Sequence, residues 1–84
     1  MSEVYEIAHR VDARGTRCPI PLLRAKQALK KISAGDYLEV KATDPSAKGD
    51  FDAMLKHLPH ELVHYEKGNG VPRVDLFIIM KGQQ

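Results

Sequence analysis

Three observations predict an α+β fold, a two-layer α/β sandwich. Two stretches repeat apolar residues with helical period, four others are short and strand-like, and their order is β-α-β-α-β-β. Strands separated by a helix are expected to pair in parallel through right-handed crossovers. The last two, joined by a tight turn, are expected to be antiparallel. Two crossovers running in one direction place both helices on one face of a four-stranded mixed sheet. At 84 residues the chain has length for one domain, 1–84, and shows no repeat, linker or low-complexity segment.

Each element follows from local pattern. Residues 4–11 alternate, with Tyr5, Ile7, His9 and Val11 on one face and Glu6, Ala8 and Arg10 on the other, which predicts a half-buried strand. Residues 12–17 form a turn containing Gly15. From 19 to 33, Leu22, Ala25, Leu29 and Ile32 mark one face of a helix, with Gly35 just past its end. Leu38, Val40 and Ala42 alternate with Glu39, Lys41 and Thr43 in a second strand. Asp44-Pro45 reads as a helix start, a capping carboxylate followed by proline at the first position. Phe51, Met54, Leu55 and Leu58 give that helix its apolar stripe, Gly49 weakens it, and Pro59 ends it. Residues 61–67 form a short polar strand suited to a sheet edge. Gly68-Asn69-Gly70 is a hairpin turn, and 74–81 is a final strand. Its run Leu76-Phe77-Ile78-Ile79-Met80 is apolar on both faces and suits an interior position.

Composition narrows the function classes. With 43% hydrophobic residues and mixed charges, the chain reads as a compact soluble protein whose small core leaves no room for a large cofactor cavity. No apolar run reaches membrane-spanning length, and Met1-Ser2-Glu3 carries no secretory pattern, so no membrane association and a cytoplasmic location are expected. One cysteine excludes an internal disulfide and fits a reducing compartment. A net charge of +2 is too small to argue for nucleic acid. Its distribution is uneven, however. Seven basic residues and one acid lie between Arg10 and Lys31, while seven acids and three basic residues lie between Asp36 and Glu66. Most of these charges read as solvated helix faces. Arg14 and Arg17, nearest the cysteine in sequence, read as a positive field that lowers its pKa and attracts an acidic partner, with Arg24 and Lys26 as extensions of the same rim.

The chemistry concentrates at Cys18-Pro19-Ile20-Pro21. Prolines fit the first turn of a helix, where the missing N–H costs little and φ is already near its helical value. The sulfur then sits at the positive end of the helix dipole, and a thiol pKa below the free-cysteine value is expected. Pro19 and Pro21 are expected to stiffen the backbone without filling the core. A lone cysteine is most often a buried structural residue. Here its neighbours and its position favour a reactive thiol.

Other constellations are weaker. His57, His60 and His64 are separated by the helix-ending Pro59 and have no second cysteine to join them. They read as surface or edge residues, and no metal is expected. His9 lacks an orienting third group for a Cys-His pair. Asp44, Asp50 and Asp52 read as helix-cap and first-turn acids rather than acid/base pairs.

The stretch Asp12-Ala13-Arg14-Gly15-Thr16-Arg17-Cys18-Pro19-Ile20-Pro21 resembles the signature of the TusA/SirA family of sulfur-carrier proteins. Asp44-Pro45, Asp50-Phe51 and His60-Glu61-Leu62 are similar to that family's downstream landmarks, and the likeness runs through essentially the whole chain. Pro59 departs from it, standing where many relatives have glycine. The resemblance implies the same sandwich, shared with the C-terminal domain of a bacterial translation initiation factor. It implies that Cys18 accepts sulfane sulfur as a persulfide and relays it to a partner. Arg14, Gly15, Arg17, Pro19 and Pro21 are the supporting residues. It implies donors such as a cysteine desulfurase or a rhodanese, and acceptors of the DsrE type. Transfer-RNA 2-thiolation, molybdenum-cofactor assembly and sulfur-compound oxidation are the pathways served. No cofactor beyond the transient persulfide, no direct nucleic-acid contact and a monomeric state are expected. A redox-sensing single thiol and an RNA- or regulator-binding module are the alternatives. The latter is disfavoured by the absence of interleaved aromatic and basic residues on any strand.

Overall fold

A computed structural model describes residues 5–83. The elements are β1 (Ile7–Ala13), α1 (Ile20–Leu29), β2 (Tyr37–Ala42), α2 (Ala47–Leu55), β3 (Glu61–Glu66) and β4 (Asp75–Met80). Position 4, where the first strand is expected to begin, and the Met1-Ser2-Glu3 terminus lie outside the described residues.

The four strands form one mixed sheet in the order β1-β2-β4-β3. β1 pairs parallel to β2, and β4 runs antiparallel to both β2 and β3. β3 therefore points the same way as β2 without pairing with it, contrary to the expectation that strands flanking a helix are direct partners. β4 takes the place between them because its side chains are buried on both faces: Phe77, Ile78 and Ile79 are all core residues. The more polar β3 is left at the edge.

Both helices cover the same face. Ala25, Ala28 and Leu29 of α1 and Ala47 and Phe51 of α2 share one cluster with Leu38, Val40, Ala42, Phe77 and Ile79 of the sheet. Alanine predominates where α1 meets the strands, and small side chains allow a helix to sit close on a sheet. Phe51 and Phe77 stack at 4.8 Å, tilted by 44°, and fill the space under α2. On the helix-free face Tyr5 reaches across the sheet. Its ring lies 5.0 Å from that of Tyr37, and its hydroxyl donates to the Val63 carbonyl at 3.3 Å.

Element ends shift for identifiable reasons. β1 continues through Asp12 and Ala13, expected as turn, because both pair with β2 at Lys41 and Ala42. α1 stops at Leu29, where the Lys31 N–H closes a tighter turn on the Ala28 carbonyl, although Ile32 still packs on the core. α2 begins after Asp44-Pro45-Ser46, a separate turn closed by the Ala47 N–H on the Asp44 carbonyl at 3.1 Å, so Ser46 and not Asp44 is its N-cap, and it ends at Leu55, short of the expected stop at Pro59.

The β3–β4 connection is not the tight turn expected. It spans 67–74 and folds around the carboxylate of Asp75, which is 1% exposed. That carboxylate accepts the Gly68 N–H at 3.0 Å, the Tyr65 hydroxyl at 3.1 Å and the Arg73 guanidinium at 3.0 Å. A charge taken out of water survives only when its oxygens are satisfied in this way. Gly68 is needed for close approach, since a Cβ there would lie 2.1 Å from the Val74 carbonyl oxygen.

Two glycines should therefore respond oppositely to alanine. A Cβ added at Gly49, within α2, would meet nothing within 4 Å, so Gly49→Ala should stabilise by roughly 0.5–1 kcal/mol through helix propensity. Gly68→Ala should destabilise. Urea midpoints of both variants against wild type would check this, and two shifts of the same sign would refute it.

Candidate functional site

The site is the loop from β1 to α1, held from below by the loop from β2 to α2. At the end of β1 the buried Ala13 carbonyl accepts both the Thr16 hydroxyl, at 2.7 Å, and the Thr16 N–H, at 3.3 Å. Gly15 adopts φ +79°, a left-handed conformation that favours glycine, and its N–H donates to Thr43 Oγ1 at 2.9 Å. Three residues later the Cys18 N–H donates to Asp44 Oδ2 at 2.6 Å. The helix then starts, with the Ile20 N–H on the Arg17 carbonyl and the Leu23 N–H on the Pro19 carbonyl. Pro19 is the N-cap and Pro21 the second helical residue. Pro21 is fully buried, which corrects the expectation that neither proline fills the core. Cys18 is exposed, and its thiol is free.

The electrostatics differ from those expected. Asp44 lies under the start of α1, where its carboxylate takes the Cys18 N–H and, through Oδ1, the Ser46 N–H at 2.9 Å and hydroxyl at 2.8 Å. These bonds, the Ser46 N–H first, lower its pKa from 3.8, with a smaller contribution from the charge of Arg17. The stability that these bonds contribute is present in full above that ordinary value and is lost as pH falls through the lower folded one. Asp50, one turn into α2, also accepts from the Ser46 hydroxyl at 3.2 Å. The Cys18 pKa is raised rather than lowered. Hydrogen bonding of the neutral thiol to the Asp50 carboxylate is the main cause, followed by desolvation and by the charges of Asp50 and Asp44. The helix start thus meets a carboxylate before it meets the sulfur.

The arginines nearest in sequence are placed differently from one another. Arg14 is bound by Asp12 through Nε and Nη2, both at 2.8 Å, an arrangement that holds the Asp12 carboxyl well below the usual range. Arg24 donates to the Asp12 carbonyl at 2.9 Å and fastens α1 to the end of β1. Arg17 is exposed, with its charge felt at Asp44. The surroundings of Cys18 are therefore mixed in sign, acidic toward α2 and basic toward α1, rather than a uniformly basic rim.

Sequence reasoning missed four participants. Asp50 and Thr43 lie too far along the chain for local pattern to connect them with Cys18. Ile20 and Leu23, in the first turn of the helix that follows the cysteine, are 42% and 50% exposed. Their signal was present, since both fall off the Leu22, Ala25, Leu29 and Ile32 stripe. His60, expected at the surface, is instead 7% exposed, its Nδ1 accepting the Gly82 N–H at 3.0 Å. Among the described residues no three His, Cys, Asp or Glu side chains converge in a way that could hold a metal ion.

A two-layer α+β domain with one exposed thiol, clamped where a loop enters a helix, defines a class of small single-cysteine proteins. The chain belongs to the TusA family: residues 9–76 match the family described as sulfurtransferase TusA. It is 45% identical over 60 residues to the sulfur carrier protein TusA of Allochromatium vinosum, covering 71% of this chain and 79% of that one. Its fold superposes on the crystal structure of a SirA-like protein from Desulfitobacterium hafniense with a TM-score of 0.69. That match has 26% identity and covers 89% of this chain and 99% of the other.

Asp50 gives the site a direct test. The pH midpoint of Cys18 alkylation should lie above the ordinary thiol value of 9.0, and Asp50→Asn should lower it, because the neutral thiol loses a charged acceptor and the thiolate loses a repelling charge. An unchanged midpoint in Asp50→Asn would remove Asp50 from the site.

Proposed function

We propose that this protein is a sulfur carrier in which Cys18 receives sulfane sulfur as a persulfide and delivers it to a second protein. The observation that carries this reading is the exposed Cys18, the chain's only thiol, on a loop fixed by the Thr43 and Asp44 contacts. Membership of the TusA family supports it.

The chemistry balances without an oxidant. The Cys18 thiol gives up its proton, for which Asp50, the carboxylate that acts on it most strongly, is a candidate acceptor, and the thiolate attacks the outer sulfur of a donor persulfide. The donor's S–S bond breaks, its thiolate leaves, and Cys18 holds the S–S bond in its place. In the second step an acceptor thiolate attacks the outer sulfur, and the Cys18 thiolate departs. With no second cysteine in the chain, the persulfide has no internal thiol to discharge it as a disulfide. The donor is of the cysteine desulfurase or rhodanese kind and the acceptor of the DsrE kind.

The raised thiol pKa favours the carrier over the redox sensor. Peroxide sensing depends on a lowered thiol pKa, whereas Asp50 and Asp44 push this one up. A partner that brings positive charge to Asp50 would release the thiolate at the moment of transfer. Ile20 and Leu23 offer such a partner apolar contact beside the sulfur, and Arg17 offers a charge that steers the encounter. Among the described residues no helix is long and apolar enough to cross a membrane.

Incubation with a persulfide donor followed by intact-protein mass spectrometry should show one added sulfur atom, removed by reductant and absent in Cys18→Ser. Equal loading of the serine variant would end the carrier reading.

Charge steering is testable separately. Arg17→Glu should slow transfer to an acceptor and flatten its salt dependence, because exposed charges are screened beyond about 10 Å at 0.1 M ionic strength. Lys67→Glu, in the β3–β4 connection, should be neutral. Equal effects of both reversals would make net charge the cause instead.

A further inference from the structure

A second concave site lies at the other end of α1. Cys18 sits at the helix start, and Lys26 and Lys30 sit in and just past its last turn, roughly 15 Å further along at 1.5 Å per residue. There a cavity of about 520 Å³ is lined by Lys26, Leu29, Lys30, Leu58, His60 and Lys81. These residues come from the last turn of α1 and the residue after it, the segment after α2, the residue just before β3 and the residue just after β4. The volume lies in the range of small-molecule sites, about 300–1,000 Å³.

We infer that this cavity binds a small organic phosphate, with its anion among the three ammonium groups and its apolar body against Leu29 and Leu58. Lysines near a helix C-terminus ordinarily offset the helix dipole, and Lys26 and Lys30 do so here. That role does not bring in Lys81, which arrives from a different element. Its Nζ donates to the Ile32 carbonyl at 2.7 Å, which positions the ammonium and leaves two further N–H donors. No acid is found among the described lining residues, so no carboxylate neutralises the three cations within the cavity. The donors are point charges without a planar fork, so they select by charge rather than by shape, and a dianionic phosphate gains more from three of them than a single carboxylate does. Leu29 is buried and Leu58 partly so, and together they give the cavity an apolar surface that a bare inorganic ion would not use. His60, held through its Nδ1 by the Gly82 N–H, adds a buried polar ring to the lining.

The test is two-dimensional amide NMR on the full chain, titrated with phenyl phosphate, inorganic phosphate and phenol in parallel. Binding is read on the unloaded protein and involves no sulfur chemistry. Phenyl phosphate should shift the amides of Lys26, Lys30, His60 and Lys81 saturably while leaving those around Cys18 in place. Inorganic phosphate should move the same amides more weakly, and phenol should not. Lys26→Gln combined with Lys30→Gln, both at exposed positions with good helix formers, should weaken phenyl phosphate binding by about tenfold or more, since charge-assisted bonds are lost. Equal affinity for phenyl phosphate and inorganic phosphate would overturn the organic part of the inference. Shifts that do not saturate, or that persist unchanged in the double variant, would overturn the site.

Discussion

The carboxylate of Asp44 is the constraint on which the site depends. It stands at the meeting of two chain segments that share no sequence neighbourhood, the loop entering α1 and the loop entering α2. One oxygen takes the Cys18 N–H and the other takes the Ser46 N–H and hydroxyl. A domain of this size has a core too small to immobilise its loops by packing alone. Its buried side chains near the site are Ala13, Ala42, Ala47 and Pro21, which contribute little area each. Polar clamps immobilise the loops instead, with Thr43 holding Gly15, Asp44 holding Cys18, and Asp12 holding Arg14.

The same constraint decides the chemistry of the thiol. A helix start ordinarily favours a thiolate through its free N–H groups and dipole. Here the cysteine's own N–H is spent on Asp44, and the carboxylates of Asp50 and Asp44 push the thiol pKa up, so the charges that act on it most are negative. The resulting group is quiet in the isolated protein. That suits a carrier whose cargo must survive transit between two partners, and it places activation with the partner. A thiol of raised pKa is also a poorer leaving group, so the outer sulfur of the loaded persulfide is taken less readily by a stray thiol.

How much of this could be read from the chain depended on distance in sequence. The element order, the α1 stripe, the α2 stripe as far as Leu55, the interior β4 and the edge β3 follow from periodicity and hydrophobicity within windows of about ten residues, and the structure has them, while Leu58 falls beyond the end of α2. The Cys-Pro-x-Pro helix start was equally local. What was missed in the electrostatics of the thiol is long-range. Asp44 is 26 residues from Cys18 and Asp50 lies further still, so their reach to the thiol appears only when β2 and α2 have docked. The two arginines beside Cys18 in sequence suggested a positive field, but Arg14 had a closer partner in Asp12. The wide β3–β4 connection was hidden for a related reason. Gly68-Asn69-Gly70 has the composition of a tight turn, yet the buried Asp75 gathers Tyr65, Gly68 and Arg73 and sets a longer path. Pro21 and His60 were misplaced because residue type alone says little about burial at the ends of elements.

The two ends of α1 therefore do different work with opposite resources. At its start the helix faces carboxylates, and the exposed side chains beside the sulfur are apolar, Ile20 and Leu23. At its end the lysines gather over a concave surface backed by Leu29 and Leu58. Alanines between these ends, Ala25 and Ala28, let the helix lie close on the sheet without wide side chains intervening. A helix seated that closely does not roll or slide independently of the strands. The position of Cys18 over Asp44 and that of the lysines beside Lys81 are then fixed by one rigid-body placement, α1 against β1 and β2. A substitution enlarging Ala25 or Ala28 would lift the helix and disturb both ends together, whereas changes at Asp44 or Lys81 would remain local to one.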